Sequence, residues 1–365
     1  MSMSNIPLAA GAGPMPLTHR WNNFDALRMG AALLVLVSHQ FSLTGRSEHG
    51  LFEVHSWGGV AVLIFFSISG FLVAQSWDND PRPHTFMARR LLRVWPALAV
   101  AVVLSACVLG PLIGSMSWQE YVHDPFFRRY FRILRFKNEL FLPTGFDGNL
   151  LARVINGSLW TIPIEMKCYV LLAAIGTLGL LRPRWRWLVA LLVLATAVGY
   201  LWPTPWRYGW SERRDMPLEF MLCFFAGVVC HHHRARTTGR AAWPLLVAAW
   251  AAGALAFAAG QQVLALVLWV PPTAIAFGTS AWPVVRRLGR FGDVSYGLYI
   301  YAFPTQQLMI WLFKDRLPWA MVLALSIGAT LVLAFASWHL VEKHALRWKP
   351  RAPRQAAPVA PTALA

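Results

Sequence analysis

Two ionisable side chains, Arg28 and His39, lie eleven residues apart in the first long apolar stretch of the sequence. At about 100° per residue, this spacing places both on nearly the same face of an α-helix, roughly 16 Å apart along its axis. Asp25, three residues before Arg28, shares that face. Ionisable groups inside a membrane helix are costly and usually mark function. We therefore expect this face to border a cavity. The structural alternatives are an Asp25–Arg28 ion pair at the interface and a histidine bonded to another helix.

A carboxylate, Glu165, lies inside the fourth apolar stretch, with Thr161 and Tyr169 one turn away on its face. We expect its depth in a membrane to match that of His39. A carboxylate and an imidazole at one depth could form an acid/base unit in which the carboxylate orients the ring. The structural alternative is a pair between Glu165 and another helix or Lys167, which points away from this face and could snorkel to the interface.

Three arginines, Arg89, Arg90 and Arg93, stand at the entry of the third apolar stretch. The excess of positive charge on the cytoplasmic side of membrane proteins would explain them. A more specific interpretation is phosphate capture, because Arg90 and Arg93 share a helical face and guanidinium groups suit phosphate oxygens.

Two further patterns favour structural roles. In the second apolar stretch Ser67, Ser69 and Gly70 are small, and small residues let membrane helices approach closely. Three consecutive histidines, 231–233, resemble a metal-binding run. On a helix they point in three directions, so we expect no shared metal.

The composition is that of a membrane protein. Of 365 residues 57% are hydrophobic and 13% charged, with mean hydropathy +0.47, whereas soluble domains carry about 25% charged residues. Ten stretches approach the roughly 20 apolar residues that a spanning helix needs. We predict an all-α polytopic membrane protein of about ten transmembrane helices, and no disulfide framework, since all four cysteines fall within these spans. The predicted spans are 24–44, 57–76, 91–115, 158–180, 185–203, 217–231, 241–260, 262–280, 294–313 and 319–341.

The distribution of Lys and Arg predicts the orientation. The net charge is +17, but the arginines cluster between spans and no nucleic-acid-binding motif accompanies them. Clusters around Arg90, Arg182, Arg234 and Arg286 fall on one side, which places both termini in the cytoplasm. The long outer loop, 116–157, is also basic, with interleaved aromatic residues. This pattern suits an amphipathic helix on the membrane surface, or binding of an anionic substrate.

The order of these motifs resembles the membrane-bound acyltransferase-3 family over about residues 20–347. Each motif is weak alone, but six in the right order are specific. They are 24–28 (FDALR) with His39; 65–72 (FFSISGFL); 90–93 (RLLR) with Trp95 and Pro96; 156–160 (NGSLW) with Glu165 and Tyr169; 294–299 (VSYGLY); and 342–343 (EK).

The resemblance implies acyl transfer from cytoplasmic acyl-CoA, usually acetyl-CoA, to a hydroxyl of an extracytoplasmic glycan, in a bacterial inner membrane. It implies catalytic roles for His39, Glu165 and Arg28. It also implies that Arg90 and Arg93, together with the neighbouring Arg89, bind the acyl donor. Supporting roles are expected for Asp25, Ser69, Trp160 and Tyr169. The chain departs from the family pattern at Met166, where a second acidic residue is common, and at Ala302, where a histidine is frequent.

We accordingly expect a flexible segment at 1–20, which does not resemble a signal peptide, a ten-helix acyltransferase domain at 21–347, and a disordered tail at 348–365. Acetyl-CoA would be a co-substrate, with no tightly bound cofactor and no metal. Partners would be the bilayer and a glycan or lipid-linked oligosaccharide, such as an exopolysaccharide repeat unit. Two other classes remain open: a transporter that uses the buried His, Glu and Arg as a solute or proton pathway, and a purely structural membrane protein.

Overall fold

The computed structural model describes residues 22–48, 55–201, 216–280 and 292–350, which form a bundle of α-helices. Ten long helices follow the predicted spans in order and are numbered α1 to α10. They are α1 Phe24–Leu43, α2 Trp57–Asn79, α3 Pro83–Leu104, α4 Ile162–Thr177, α5 Arg186–Leu201, α6 Met216–His232, α7 Trp243–Ala258, α8 Gln262–Thr279, α9 Ser295–Phe313 and α10 Trp319–Ser337. Within these described ranges there is no strand, only an isolated antiparallel bridge between Phe141 and Val154.

Short helical elements extend or connect these helices. α3 continues through a π-helical turn, Ser105–Leu109, into Gly110–Ile113. A 3-10 turn, Gly157–Thr161, leads into α4, and α10 continues through a π-helical turn, Trp338–Glu342. The other short elements are Trp118–His123, Pro125–Tyr130, Phe131–Arg135, Arg234–Thr237, Gly239–Ala242, Lys343–Ala345 and Leu346–Trp348.

Seven helical stretches of the described chain are long and apolar enough to cross a membrane. This confirms an all-α polytopic membrane protein, while the number ten stays a prediction. The stretches are Phe24–Leu43, Trp57–Asn79, Pro83–Ile113, Gly157–Thr177, Gly239–Ala258, Gln262–Thr279 and Trp319–Trp348. Of the other three predicted spans, α5 and α6 are shorter, with 16 and 17 residues. α9 buries Gln306, whose amide donates to Leu36 O at 2.9 Å and to Gln40 Oε1 at 2.8 Å.

α2 and α6 cross with their backbones in contact. A Cβ at Gly70 would lie 1.8 Å from the carbonyl oxygen of Phe224, and one at Gly227 would lie 2.2 Å from that of Ser67. No side chain fits at either position, which confirms the expected close approach of α2. Ser69 faces the other way, towards the cavity described below.

The basic outer loop folds into short helices instead of one long one. Tyr121, Tyr130 and Ile133 are buried in a cluster that includes Val94 of α3. The indole Nε1 of Trp95 donates to Leu134 O at 3.2 Å. Aromatic residues of the pattern therefore pack against the bundle, while Arg128, Arg129, Arg132 and Arg135 are exposed. Contact of the basic face with a membrane stays a prediction.

The first residues of the predicted tail, 348–350, lie beside α3, where Arg89 Nε donates to Pro350 O at 3.0 Å. The remainder of the predicted tail, the predicted flexible segment 1–20 and the basic cluster around Arg286 lie outside the described residues. The four cysteines, Cys107, Cys168, Cys223 and Cys230, are free thiols.

Candidate functional site

A cavity of about 160 Å³ lies between α1, α2, α3, α4 and α9. It brings together six of the ten residues for which the resemblance implied catalytic, donor-binding or supporting roles, although the six come from four different helices: Arg28, Ser69, Arg90, Arg93, Glu165 and Tyr169. The polar residues that line it are Arg28, Ser69, Arg90, Arg93, Thr161, Glu165, Tyr169, Ser295, Tyr296 and Tyr299.

Glu165 is held by hydroxyl groups. The Tyr169 hydroxyl, one turn along α4, donates to Glu165 Oε1, and the Ser69 hydroxyl of α2 donates to the same oxygen at 3.4 Å. The two hydroxyl oxygens are 3.2 Å apart. Lys167 is exposed on another face of the helix, as predicted. Glu165 therefore belongs to a hydroxyl network that joins α2 to α4.

Two of the cavity's arginines are neutralised by carboxylates. Arg28 pairs with Asp25 at 2.5 Å and with Asp293 at 3.2 Å. Arg93 pairs with Asp293 at 2.6 Å and with Glu342 at 3.1 Å. Burial alone would raise the pKa of Asp293, but Arg28 and Arg93 hold it well below its ordinary value. The Asp25–Arg28 pair, which the sequence left open as a structural alternative, is present and belongs to a larger network that fixes both guanidinium groups.

Arg90 and Arg89 differ in their partners. Arg90 has no carboxylate partner among the described residues; its Nη2 donates to Ser76 Oγ at 3.3 Å, and its Nε is buried without a partner. Arg89 is not among the residues lining the cavity and pairs with Asp80 at the α2–α3 connection. Arg89, which was expected to bind the donor beside Arg90 and Arg93, thus has separate surroundings. Of these three arginines, Arg90 is the one that forms no ion pair with a carboxylate among the described residues.

Lys349 adds a cation that the sequence assigned to a disordered tail. It is half-buried, and burial, together with the positive charges of Arg90 and Arg93, lowers its pKa to about 8. Its position after the last apolar stretch gave no signal beyond general basicity, because the fold of the tail onto α3 is a tertiary contact.

His39 lies in α1 away from the lining of this cavity. Its ring meets Phe303 edge-to-face, with centroids 5.3 Å apart, and its Nδ1 is buried without a hydrogen-bond partner among the described residues. No hydrogen bond joins it to Glu165 within the described chain. The expected His39–Glu165 pair is therefore not formed in this state, and a buried ring nitrogen remains unsatisfied.

A second cavity, of about 640 Å³, lies at the other end of α1. Its polar lining includes Gln40, Arg46, Asn149, Lys314 and Trp319. The Arg46 guanidinium lies 5.4 Å from the centre of the Trp319 ring. His39 directly precedes Gln40, so α1 carries Arg28 at the first cavity and a residue next to His39 at the second.

Two tyrosines of α9 complete the first cavity. The Tyr299 hydroxyl lies 2.7 Å from Thr161 Oγ1 and donates to Ser158 O at 3.1 Å. The Tyr296 hydroxyl donates to Val94 O at 2.9 Å. Both tyrosines belong to the sequence motif 294–299, so the sequence had already indicated this segment. Trp160 is not among the lining residues; its ring packs 5.6 Å from that of Phe220 in α6.

Comparison with known proteins agrees with these motifs. The family profile described as an acyltransferase domain, that of acyltransferase-3, matches residues 21–339. An O-acetyl transferase of Shigella phage Sf6 is 32% identical over 347 residues, which cover 90% of this chain and 97% of the relative. Nodulation protein 10 of Rhizobium leguminosarum bv. viciae is 28% identical, with 90% and 94% covered.

Acyltransferase MdmB of Streptomyces mycarofaciens is 28% identical over 118 residues, 30% of each chain. No solved structure matches significantly. The profile covers most of the chain, and the phage relative matches over nearly its whole length. The chain therefore belongs to the acyltransferase-3 family and is a multi-pass membrane acyltransferase.

Proposed function

We propose that the protein transfers an acetyl group from cytoplasmic acetyl-CoA to a sugar hydroxyl of a cell-envelope glycan, such as an exopolysaccharide repeat unit. The observation that carries the proposal is the pair of cavities at the two ends of α1, with Arg28 lining one and Gln40, which follows His39 in the sequence, lining the other. The protein would lie in a bacterial inner membrane with both termini in the cytoplasm, so that the first cavity receives the donor and the second the acceptor.

The first cavity suits the anionic end of the donor. Arg90 lacks a carboxylate partner within the described chain and Lys349 lies nearby, so two cations can meet phosphate oxygens. The cavity is too small for a whole nucleotide, because ligand sites of that class measure about 300–1,000 Å³. The phosphates therefore bind at its mouth, and the pantetheine arm enters between α1, α2 and α4.

Transfer of the acetyl group requires a base at the acceptor hydroxyl. In this proposal a neutral nitrogen of His39 accepts the hydroxyl proton while the oxygen attacks the thioester carbonyl carbon. The carbon–sulfur bond breaks, the ester forms, and the CoA sulfur leaves as a thiolate that takes up a proton. A covalent acetyl-His39 intermediate is the alternative route to the same products.

The fixed groups of the first cavity supply orientation. Arg28 is held by Asp25 and Asp293, so its guanidinium costs no reorganisation when charge develops on the donor. Glu165 orders the hydroxyls of Tyr169 and Ser69 and acts on His39 only if α1 and α4 move closer when substrates bind.

The acceptor class rests on the second cavity and on the relatives. Asn149 and Gln40 offer amides, and Trp319 offers an aromatic face, for a sugar ring. Arg46 and Lys314 suit an acceptor that carries acid or phosphate groups. The name of the phage relative, an O-acetyl transferase, supports acetyl as the transferred group and oxygen as the acceptor atom.

The test is a transfer assay with purified protein in proteoliposomes, acetyl-CoA labelled in the acetyl group, and a panel of envelope oligosaccharides. We expect label in an alkali-labile ester of one oligosaccharide, with release of an equal amount of CoA thiol. Release of CoA thiol without labelled glycan would show that the thioester is only hydrolysed and would contradict transfer to these oligosaccharides. A solute that crosses the membrane chemically unchanged, with no labelled glycan, would favour the transporter alternative.

A further inference from the structure

Three potential metal ligands converge at the end of the bundle where α2 connects to α3, outside both cavities. Asp78 is in the last turn of α2, and His231 and His232 end α6. His231 Nε2 lies 3.0 Å from Asp78 Oδ2, and His232 Nδ1 lies 3.8 Å from the same oxygen. One ligand atom from each residue lies within 4.8 Å of the other two.

The histidines are buried and poorly satisfied. Their side chains are only 3% and 2% exposed, whereas Asp78 is 29% exposed. His231 Nδ1 and both ring nitrogens of His232 have no hydrogen-bond partner among the described residues. Buried polar atoms are normally bonded, and an unsatisfied one costs about 1–3 kcal/mol. A bound cation would satisfy His232 Nδ1, which now points at a carboxylate beyond hydrogen-bond range.

The spacing fits a tetrahedral ion. With bonds of about 2.0–2.2 Å to nitrogen and oxygen, ligand atoms of a zinc site are about 3.4 Å apart. The observed 3.0 and 3.8 Å bracket that separation. We propose that Asp78, His231 and His232 bind a divalent cation of the zinc class, with water as the fourth ligand entering beside the exposed edge of Asp78.

Consecutive histidines can share the ion because they use different nitrogens. His231 presents the far nitrogen of its ring and His232 the near one, so two side chains that leave the helix in different directions meet at Asp78. The expectation of no shared metal considered the three histidines alone and omitted a carboxylate from another helix.

A competing partner for Asp78 is Arg186. Its Nη2 lies 4.0 Å from Asp78 Oδ2, and its Nε donates to Leu181 O at 2.9 Å. An ion pair of that length between partly exposed groups is weak. Zinc would displace the proton between His231 Nε2 and Asp78, and Arg186 would remain on its carbonyl partner.

The ion would fasten α2 to α6 at one end of their close crossing. Gly70 and Gly227 already set the backbones in contact, and Ser69, next to Gly70, contributes to the donor cavity. The role is therefore positional: the site holds the helix that carries Ser69 and takes no part in acyl transfer.

The test uses protein purified through a tag without histidine, stripped with a chelator, and titrated with Zn²⁺ against a chromophoric competitor. The variants are His232→Asn and Asp78→Asn, and the matched control is His233→Asn, because His233 is the exposed neighbour in the same run. Thermal unfolding of each metal-free variant shows that it is folded.

We expect one tight Zn²⁺ per wild-type chain. Removing a ligand should weaken binding by more than the about 10- to 100-fold that follows loss of a mere supporting group, while His233→Asn binds as wild type. Zn²⁺ should raise the unfolding temperature of wild type and the control only. If wild type binds no stoichiometric Zn²⁺, if His233→Asn weakens binding as much as His232→Asn, or if Asp78→Asn binds normally, the site does not exist as proposed.

Discussion

Arg90 is the arginine whose removal should weaken donor binding most cleanly. Arg90 forms no ion pair with a carboxylate among the described residues, so Arg90→Ala breaks no salt bridge. The substitution removes a 3.3 Å contact with Ser76, a contact with the Phe86 ring and a positive charge that acts on Glu165. A hydrogen bond to a charged group is worth about 1.5–3 kcal/mol. Since about 1.4 kcal/mol is a factor of ten, we expect acetyl-CoA to bind about 10- to 140-fold more weakly. The CoA affinity of Arg90→Lys should lie between those of wild type and Arg90→Ala, because lysine keeps the positive charge but lacks the planar guanidinium that can bind two phosphate oxygens at once.

The assay is equilibrium binding of CoA to protein in detergent, with thermal unfolding measured in parallel. The matched control is Arg89→Lys, which keeps a cation for Asp80 and should leave CoA affinity unchanged. Equal affinity of wild type and Arg90→Ala would refute the assignment of the phosphates to this arginine. A larger loss in Arg89→Lys than in Arg90→Lys would show that the donor binds on the other face of α3.

Three further predictions concern other parts of the chain. Lys349 has a pKa of about 8, below its ordinary 10.5, so its side chain is positively charged below about pH 8 and neutral above it. The affinity of the wild-type protein for CoA should therefore fall as the pH rises through about 8, whereas that of Lys349→Ala should not. Asp80→Ala leaves buried Arg89 without its carboxylate partner, so the free energy of unfolding should fall by about 3–5 kcal/mol. The midpoint of thermal unfolding should fall with it, and an unchanged midpoint would mean that water replaces the carboxylate. Gly70→Ala forces a Cβ into a backbone carbonyl of α6 and should reduce the yield of folded protein. The control Gly30→Ala should not, because nothing lies within 4 Å of a Cβ at that position. Equal yields of the two variants would contradict the close crossing of α2 and α6.

Local spacing in the sequence predicted contacts between side chains of the same helix. The Asp25–Arg28 pair lies three residues apart on α1, and Tyr169 reaches Glu165 one turn away. Apolar stretches of about 20 residues located the helices, because their composition reflects the lipid environment. The small residues around Gly70 indicated a crossing, although its partner on α6 was not identified.

Contacts between distant segments were beyond such patterns. Arg93 meets Asp293 and Glu342, which are 200 and 249 residues away, and no local spacing connects them. The sequence predicted matching depths in the membrane for His39 and Glu165, but it did not predict the direction in which each side chain points. The predicted hydrogen bond between them is therefore absent, although each residue lies in an expected helix. Arg89 shows the same limit, because its place one residue before Arg90 turns it towards Asp80.

The most direct measurement is base-labile acetate on surface glycans of cells that express wild type or His39→Ala at equal membrane levels. General base catalysis is typically worth about 100- to 10,000-fold, so ester acetate should be present with wild type and lost with the variant. Equal acetate in both would make His39 structural and contradict the proposed chemistry. Its absence from both, with folded protein in the membrane, would contradict acetyl transfer to a surface glycan.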